Sequence, residues 1–275
     1  MIIAIDTGGT KTLVTSFGRN GQLSTKQVKF PTPQNQNEYI KVLRGVLKEL
    51  FGNKKIDMVV VAVPGIVENN IAVRCPNLPL WHNFDIKVGL SELLGQTPVF
   101  VENDAKLAGL GETRQLKHIP PQSLYLTIST GIGSGIITDG HINKALANSE
   151  AGHILVEYDG KNQEWEAFAS GKAIRNFYGK YASEIKNKRT WNQIADRISR
   201  GFLAVIPTLQ PDVIIVGGSI GTYFKKYSKQ LKKILKKKLP KIIKLPKIIR
   251  AKYPELAVIY GCYYYALDNR TAEKN

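Results

Sequence analysis

The chain has 275 residues, a hydrophobic fraction of 43% and a formal net charge of +17, enough for one large or two medium globular units and unlike a disordered chain. Its two cysteines, Cys75 and Cys262, exclude a disulfide framework and a paired-cysteine metal motif, and no apolar run approaches the roughly 20 residues of a membrane span. The charge is uneven: 12 lysines and Arg250 fall between residues 225 and 252 with no acid among them, so the excess is largely one segment.

Residues 2–6 read as a strand with no basic or apolar leader before it, and a soluble cytoplasmic protein is expected. Further strands are expected over 11–17 and 22–30. The turn between the first two is Asp6-Thr7-Gly8-Gly9-Thr10, followed by Lys11. Adjacent glycines let backbone N–H groups wrap a phosphate. Thr10 adds a hydroxyl, Lys11 positive charge, and Asp6 a carboxylate suited to holding Mg²⁺ through water. A plain Gly-Gly hairpin turn is the competing explanation. Residues 31–37 read as a polar linker. Tyr39, Leu43, Val46, Leu47 and Leu50 repeat at helical spacing, and that helix ends near Gly52. A β-branched strand over 58–63 closes at Pro64-Gly65, a hairpin over 67–73 turns at Asn69-Asn70, and Asn77 and Trp81 lie in a loop. A helix over 86–94, ended by Gly95, leads to an apolar strand over 98–101. The tetrapeptide Glu102-Asn103-Asp104-Ala105 follows. It places an amide and a carboxylate at the carboxyl end of a strand, where α/β sheets present ligand-binding groups. Asp104 is the candidate general base and Asn103 a partner for a hydroxyl; the competing explanation is that Asp104 N-caps the helix over 106–113.

The N-terminal pattern then recurs. A strand over 124–128 is followed by Ser129-Thr130-Gly131-Ile132-Gly133-Ser134-Gly135 and another strand. Two similar lobes are expected, each with a phosphate-type turn; a flexible hairpin is the competing explanation for the second turn, and the pairing of two such turns weighs against it. Glu150 and His153 precede a strand over 154–157, and Glu166 opens a helical stretch over 166–173; together they suit vicinal hydroxyls. A helix over 191–209 and a strand over 213–216 end in Gly217-Gly218, where backbone can approach a flat ligand such as a nucleobase, or simply make a tight turn. The basic segment carries Tyr223, Tyr227, Leu231 and Ile234/Leu235 at helical spacing. It reads as an amphipathic helix with a solvated basic face and weak attraction for anions. A last helix is expected over 255–267, with a disordered polar end.

In their order and spacing these residues resemble the ROK family of sugar kinases, within the actin/hexokinase-like superfamily, over almost the whole chain. The resemblance rests on Asp6 to Lys11, Glu102 to Ala105, Thr130 to Gly135, Gly217-Gly218, Glu150-x-Gly152-His153 and Glu166. It implies an α/β fold of two RNase-H-like, actin/hexokinase-type lobes with an ATP and sugar cleft. The first lobe would be 1–105, completed by 255–275, and the second 106–254. The implied activity is an ATP-dependent hexose kinase, foremost a glucokinase. Asp104 would accept the proton of the sugar 6-hydroxyl. Asn103, Glu150, His153, Glu166, Asn77 and Gly65 would contact the sugar. Gly8, Gly9, Thr10, Lys11, Thr130 and Gly131 would surround the phosphates, Gly217 and Gly218 the adenosine, and Mg²⁺ would lie near Asp6. A kinase for N-acetylmannosamine, N-acetylglucosamine, fructose or allose, or a non-catalytic sugar sensor, are the alternatives; a sensor has no use for Asp104. Repressors of the family carry an additional N-terminal helix-turn-helix, which a first strand at residue 2 argues against. A homodimer is implied, with no specific nucleic acid and no membrane as partner. One departure stands out. The family often places a C-x-C-G-x-x-G-C cluster before the position of Glu166, binding zinc together with the motif His. Residues 157–165 contain no Cys, so no zinc is expected, and His153 is expected to contact sugar directly.

Overall fold

The computed structural model describes residues 1–52 and 54–272. The chain forms two compact units, Met1–Arg114 with the segment from Leu256 onward, and Gln115–Glu255.

The first unit begins with β1 (Ile2–Thr7), β2 (Lys11–Phe17) and β3 (Val28–Pro31), then α1 (Gln36–Phe51) and β4 (Met58–Val63). It continues through β5 (Ile66–Glu68), β6 (Ile71–Arg74), β7 (His82–Phe84), α2 (Ile86–Leu94), β8 (Val99–Asn103) and α3 (Asp104–Arg114). Its main sheet has the order β3-β2-β1-β4-β8, with β2 antiparallel to β1 and β4 and β8 running parallel to it. β4 is buried at all six positions, Met-Val-Val-Val-Ala-Val, as a strand covered on both faces must be. α1 buries Tyr39, Leu43 and Leu47, and Asn35 caps it by accepting from the N–H groups of Asn37 and Glu38. The helix therefore starts inside the stretch 31–37 expected as linker. The strand expected over 22–30 shortens to β3, with Leu23 making only an isolated bridge to Phe17. Asn69 and Asn70 adopt φ of 51° and 65°, the signature of a type I′ hairpin turn, and β7 extends that hairpin to three strands.

The second unit comprises β9 (Gln122–Ile128), β10 (Ile132–Thr138), β11 (His141–Ile142), β12 (Leu155–Tyr158) and β13 (Lys161–Glu164). α4 (Trp165–Ala169), α5 (Gly171–Tyr178), α6 (Lys188–Leu209), β14 (Val213–Gly217), α7 (Gly218–Gly221), α8 (Phe224–Lys238) and β15 (Lys247–Arg250) follow. The sheet order is β11-β10-β9-β14-β15, with β10 antiparallel to β9, and β14 parallel to both β9 and β15. Position for position this repeats the first sheet, as the two strand–glycine turn–strand motifs predict. The stretch expected as one helix over 166–173 is two helices, because Ser170 ends α4 and its hydroxyl accepts from Ala173 N to cap α5. α6 and α8 bury Ile194, Ile198 and Phe202 against Tyr227, Leu231 and Leu235 in one core.

The last helix, α9 (Ala257–Ala272), returns to the first unit and packs on α3, β1 and β4. α9 thus continues past residue 267, where a disordered end was expected to begin; residues 273–275 lie outside the described ones. Cβ atoms on Gly111 and Gly261 would collide with the carbonyls of Ala257 and Leu107, so the two helix backbones touch. That packing keeps α3 with the first unit, although the sequence boundary was expected after residue 105. Among the described residues no helix is long and apolar enough to cross a membrane.

Candidate active site

In the first unit the candidate residues collect at the carboxyl ends of β1, β4 and β8. The Asp6 turn joins β1 to β2, closed by Gly8 N donating to Lys11 O at 2.9 Å. Three carbonyls of this turn are taken by protein donors. Gly8 O accepts from Thr32 Oγ1 at 2.8 Å, Gly9 O from Gln34 Nε2 at 3.2 Å, and Thr10 O from Thr32 N at 3.0 Å. These bonds fix the backbone of the turn in place. A Cβ on Gly9 would sit 2.8 Å from Asn77 Cβ, which places Asn77 against the turn. Burial pushes the Asp6 carboxyl up to about 6, with the nearby Lys29 ammonium opposing.

Asn103, 5% exposed, ends β8. Its Oδ1 accepts from Lys106 N at 3.0 Å and its Nδ2 donates to Gly65 O at 2.8 Å. Asn103 thus supplies the helix-capping bond to α3, and Asp104 stands at the first helical position, its Oδ1 accepting from Ala105 N at 2.7 Å. One Nδ2 hydrogen of Asn103 remains for a hydroxyl. Gly65 has φ of 109° and lies so close to Arg74–Pro76 that any side chain would strike them. Cys75 in that segment is buried beside Asp104. Burial first, and the Asp104 charge second, push its thiol up to about 12, so it stays protonated. Glu102 is held by Asn103 N and Lys106 Nζ.

In the second unit Ser129–Gly131 turns β9 into β10, with Ser129 N donating to Gly131 O at 2.9 Å. Ser129 O accepts from Gly171 N, at the start of α5, at 2.6 Å. A Cβ on Gly218 would meet Ile128 O at 2.5 Å, and one on Gly217 would strike the Tyr125 hydroxyl. The turn carrying Thr130, the start of α5 and the Gly217-Gly218 pair therefore converge. Glu166 on α4 reaches the same turn: its Oε2 accepts from Ile132 N at 2.9 Å and would lie 2.7 Å from a Cβ on Gly131. The same oxygen would lie 3.1 Å from a Cβ on Gly152. This brings the Glu150–His153 segment alongside. Ser134 Oγ anchors that segment, accepting from Ala151 N at 3.1 Å and donating to Ser149 O at 3.2 Å.

His153 Nδ1 lies 3.3 Å from Glu164 Oε2. His153, Glu164 and Glu166 offer ligand atoms all within 4.8 Å of one another. Counting only Cys and His leaves His153 alone as a local donor; the fold adds two carboxylates. Sequence reasoning also missed Thr32, Gln34 and Cys75, none of which carries a local signal of its role. A surface depression of about 430 Å³ on this unit, lined by Tyr158, Phe177 and Arg197 among others, contains none of the candidate residues.

The family model described as "ROK family" matches residues 2–269. Among curated relatives, a glucokinase of Thermotoga maritima is 28% identical over 264 residues, spanning 80% of this chain and 82% of the relative. A polyphosphate glucokinase of Mycobacterium tuberculosis is 30% identical over 205 residues, spanning 73% and 70%. Among solved structures, the inorganic polyphosphate/ATP-glucomannokinase of Arthrobacter sp. strain KM superposes with a TM-score of 0.74 at 29% identity, covering 97% of this chain and 98% of that one.

Proposed function

The chain belongs to the ROK family, among relatives that are sugar kinases, and from that premise we propose that it is an ATP-dependent hexose kinase acting on the 6-hydroxyl of glucose. The observation that carries this reading is the end of β8: Asn103 caps α3 through Lys106 N and Asp104 follows it directly, so an amide and a carboxylate stand side by side at the carboxyl end of a sheet strand. In the proposed reaction Asp104 accepts the proton of the sugar hydroxyl as its oxygen attacks phosphorus. The free Nδ2 hydrogen of Asn103 and the side chains of Glu150, His153 and Glu166 orient the ring, with Asn77 and Gly65 shaping its edge. Bound ATP with Mg²⁺ supplies the transferable phosphoryl group and neutralises its charge. The residues fit that pair: Asp6 is an oxygen donor for a hard cation, and the first turn has its carbonyls already occupied. Gly8, Gly9, Thr10 and Lys11, with Thr130 and Gly131, are assigned to the phosphates, and Gly217 and Gly218 to the adenosine.

A second donor is favoured by a specific observation. The exposed lysines of α8 face no acid within their segment, and among the described residues none of Lys229, Lys232, Lys233, Lys236 or Lys237 is engaged in an ion pair. Such a face would attract inorganic polyphosphate. The deciding measurement is turnover with ATP and with polyphosphate across a panel of glucose, mannose, fructose, allose, N-acetylglucosamine and N-acetylmannosamine. Turnover with ATP on glucose is expected. Preference for another sugar would move the assignment within kinases, and no turnover with any pair would favour a sensor. A cytoplasmic homodimer is proposed with this reading.

A further inference from the structure

We propose that Glu164 is a positioning residue that holds the His153 ring in one orientation and one tautomer for the sugar. This rests on the reading of His153 as a sugar ligand. The hairpin β12–β13 is built to bring the two side chains together. Leu155 pairs with Glu164 across it, and Trp165 N donates to Ile154 O at 2.9 Å just beyond. Asp159 and Gly160 at its tip both have positive φ, 55° and 73°, the two-residue turn that keeps strict register. At the other end Trp165 is wholly buried, with Gly201 making room for its ring and Phe202 edge-on to it. Glu164 therefore leaves the backbone at a fixed point. His153 does so too, since it ends a 3₁₀ turn in which its N–H donates to Glu150 O at 3.2 Å.

The Glu164 and Glu166 carboxylates gather with the imidazole, their ligand atoms and its nitrogen all within 4.8 Å of one another. Glu166 Oε2 already accepts from Ile132 N, so Glu164 is the one aimed at Nδ1, at 3.3 Å. A neutral imidazole carries one N–H. A carboxylate facing Nδ1 keeps the proton there, which leaves Nε2 as an acceptor for a sugar O–H. Both side chains are about half exposed, 55% and 49%. At that exposure the pair adds little to stability, so its effect lies in orientation.

The test compares Glu164→Ala, Glu164→Gln, His153→Ala and the Ala–Ala double variant. Glu164→Ala is expected to raise the sugar KM about three- to tenfold, the size of one lost hydrogen bond, with kcat, the ATP KM and the melting temperature nearly unchanged. Glu164→Gln keeps an acceptor oxygen and is expected to recover most of the loss. In the His153→Ala background, Glu164→Ala should have no further effect. Nitrogen-15 shifts of the His153 ring in the free protein should report an Nδ1–H tautomer in the parent and a mixture in Glu164→Ala. Equal KM effects in both backgrounds, or an unchanged tautomer, would overturn the proposal. So would one equivalent of zinc in the purified protein that Glu164→Ala loses, because the carboxylate would then be a metal ligand. If His153→Ala leaves the sugar KM unmoved while the tautomer still follows Glu164, the positioning stands and the sugar role of His153 fails.

Discussion

Asp104 stands one residue past the strand, and its neighbour makes the capping bond that a mid-sequence Asp would otherwise be credited with. Asp104→Asn preserves shape and removes the base, so kcat should fall roughly a hundred- to ten-thousand-fold with the melting temperature retained; near-parental turnover would end the assignment. Asp6 makes a prediction of the opposite kind. Its carboxyl titrates near 6 rather than the ordinary 3.8 because burial disfavours the charge. A raised acid pKa means the folded state prefers the neutral form. The associated stability is intact below 3.8 and is lost as pH climbs through about 6. At 1.36 kcal/mol per unit the loss is up to about 3 kcal/mol. In EDTA, Asp6→Asn should therefore melt higher than the parent at pH 7, with the advantage fading toward pH 4; a difference independent of pH would refute the burial penalty. At Gly131 an added methyl would press on the Glu166 carboxylate, and Gly131→Ala is expected to raise the sugar KM about tenfold, one lost charge-assisted hydrogen bond. Steady-state kinetics with sugar varied checks it. Asp104 and the glycine turns drew attention in the sequence because each follows a short apolar strand or pairs with a second copy of the same pattern, whereas Glu166, after the polar β13, was singled out only as the opening of a helical stretch and by the family resemblance. Thr32 and Gln34 drew no attention, since they act on a turn more than twenty residues earlier in the chain.

The helices with long apolar stripes were readable, and α2 falls on the expected 86–94. What escaped were short strands: β7, β13 and β15 have three or four residues each, too few for alternation to register. The division at Ser170 also escaped, because a serine inside a helical pattern reads the same whether it interrupts or caps. Element contacts matter most where α3 and α9 cross. Gly261 lies against the Leu107 carbonyl, so Gly261→Ala forces the helices apart, at a cost of about 1–3 kcal/mol, as overpacking does. Thermal unfolding would register it, and a variant as stable as the parent would show that the helices do not touch there.

The +17 charge belongs to the molecule as a whole, yet its densest part lies on and after α8, whose apolar face is committed to the core through Phe224, Tyr227, Leu231 and Leu235. DNA affinity should therefore be independent of sequence and fall steeply with salt. Filter binding at physiological salt that favours one sequence over random DNA would contradict this. The path of the chain has a different consequence. The second unit is one uninterrupted stretch, whereas the first is completed by α9, which is made after the second unit. On the ribosome the usual order, in which the N-terminal domain folds first, is then reversed. The second unit has all its strands while the first still lacks the helix that covers β1 and β4. Nascent chains arrested before residue 257 should carry a protease-resistant second unit attached to a protease-sensitive first one.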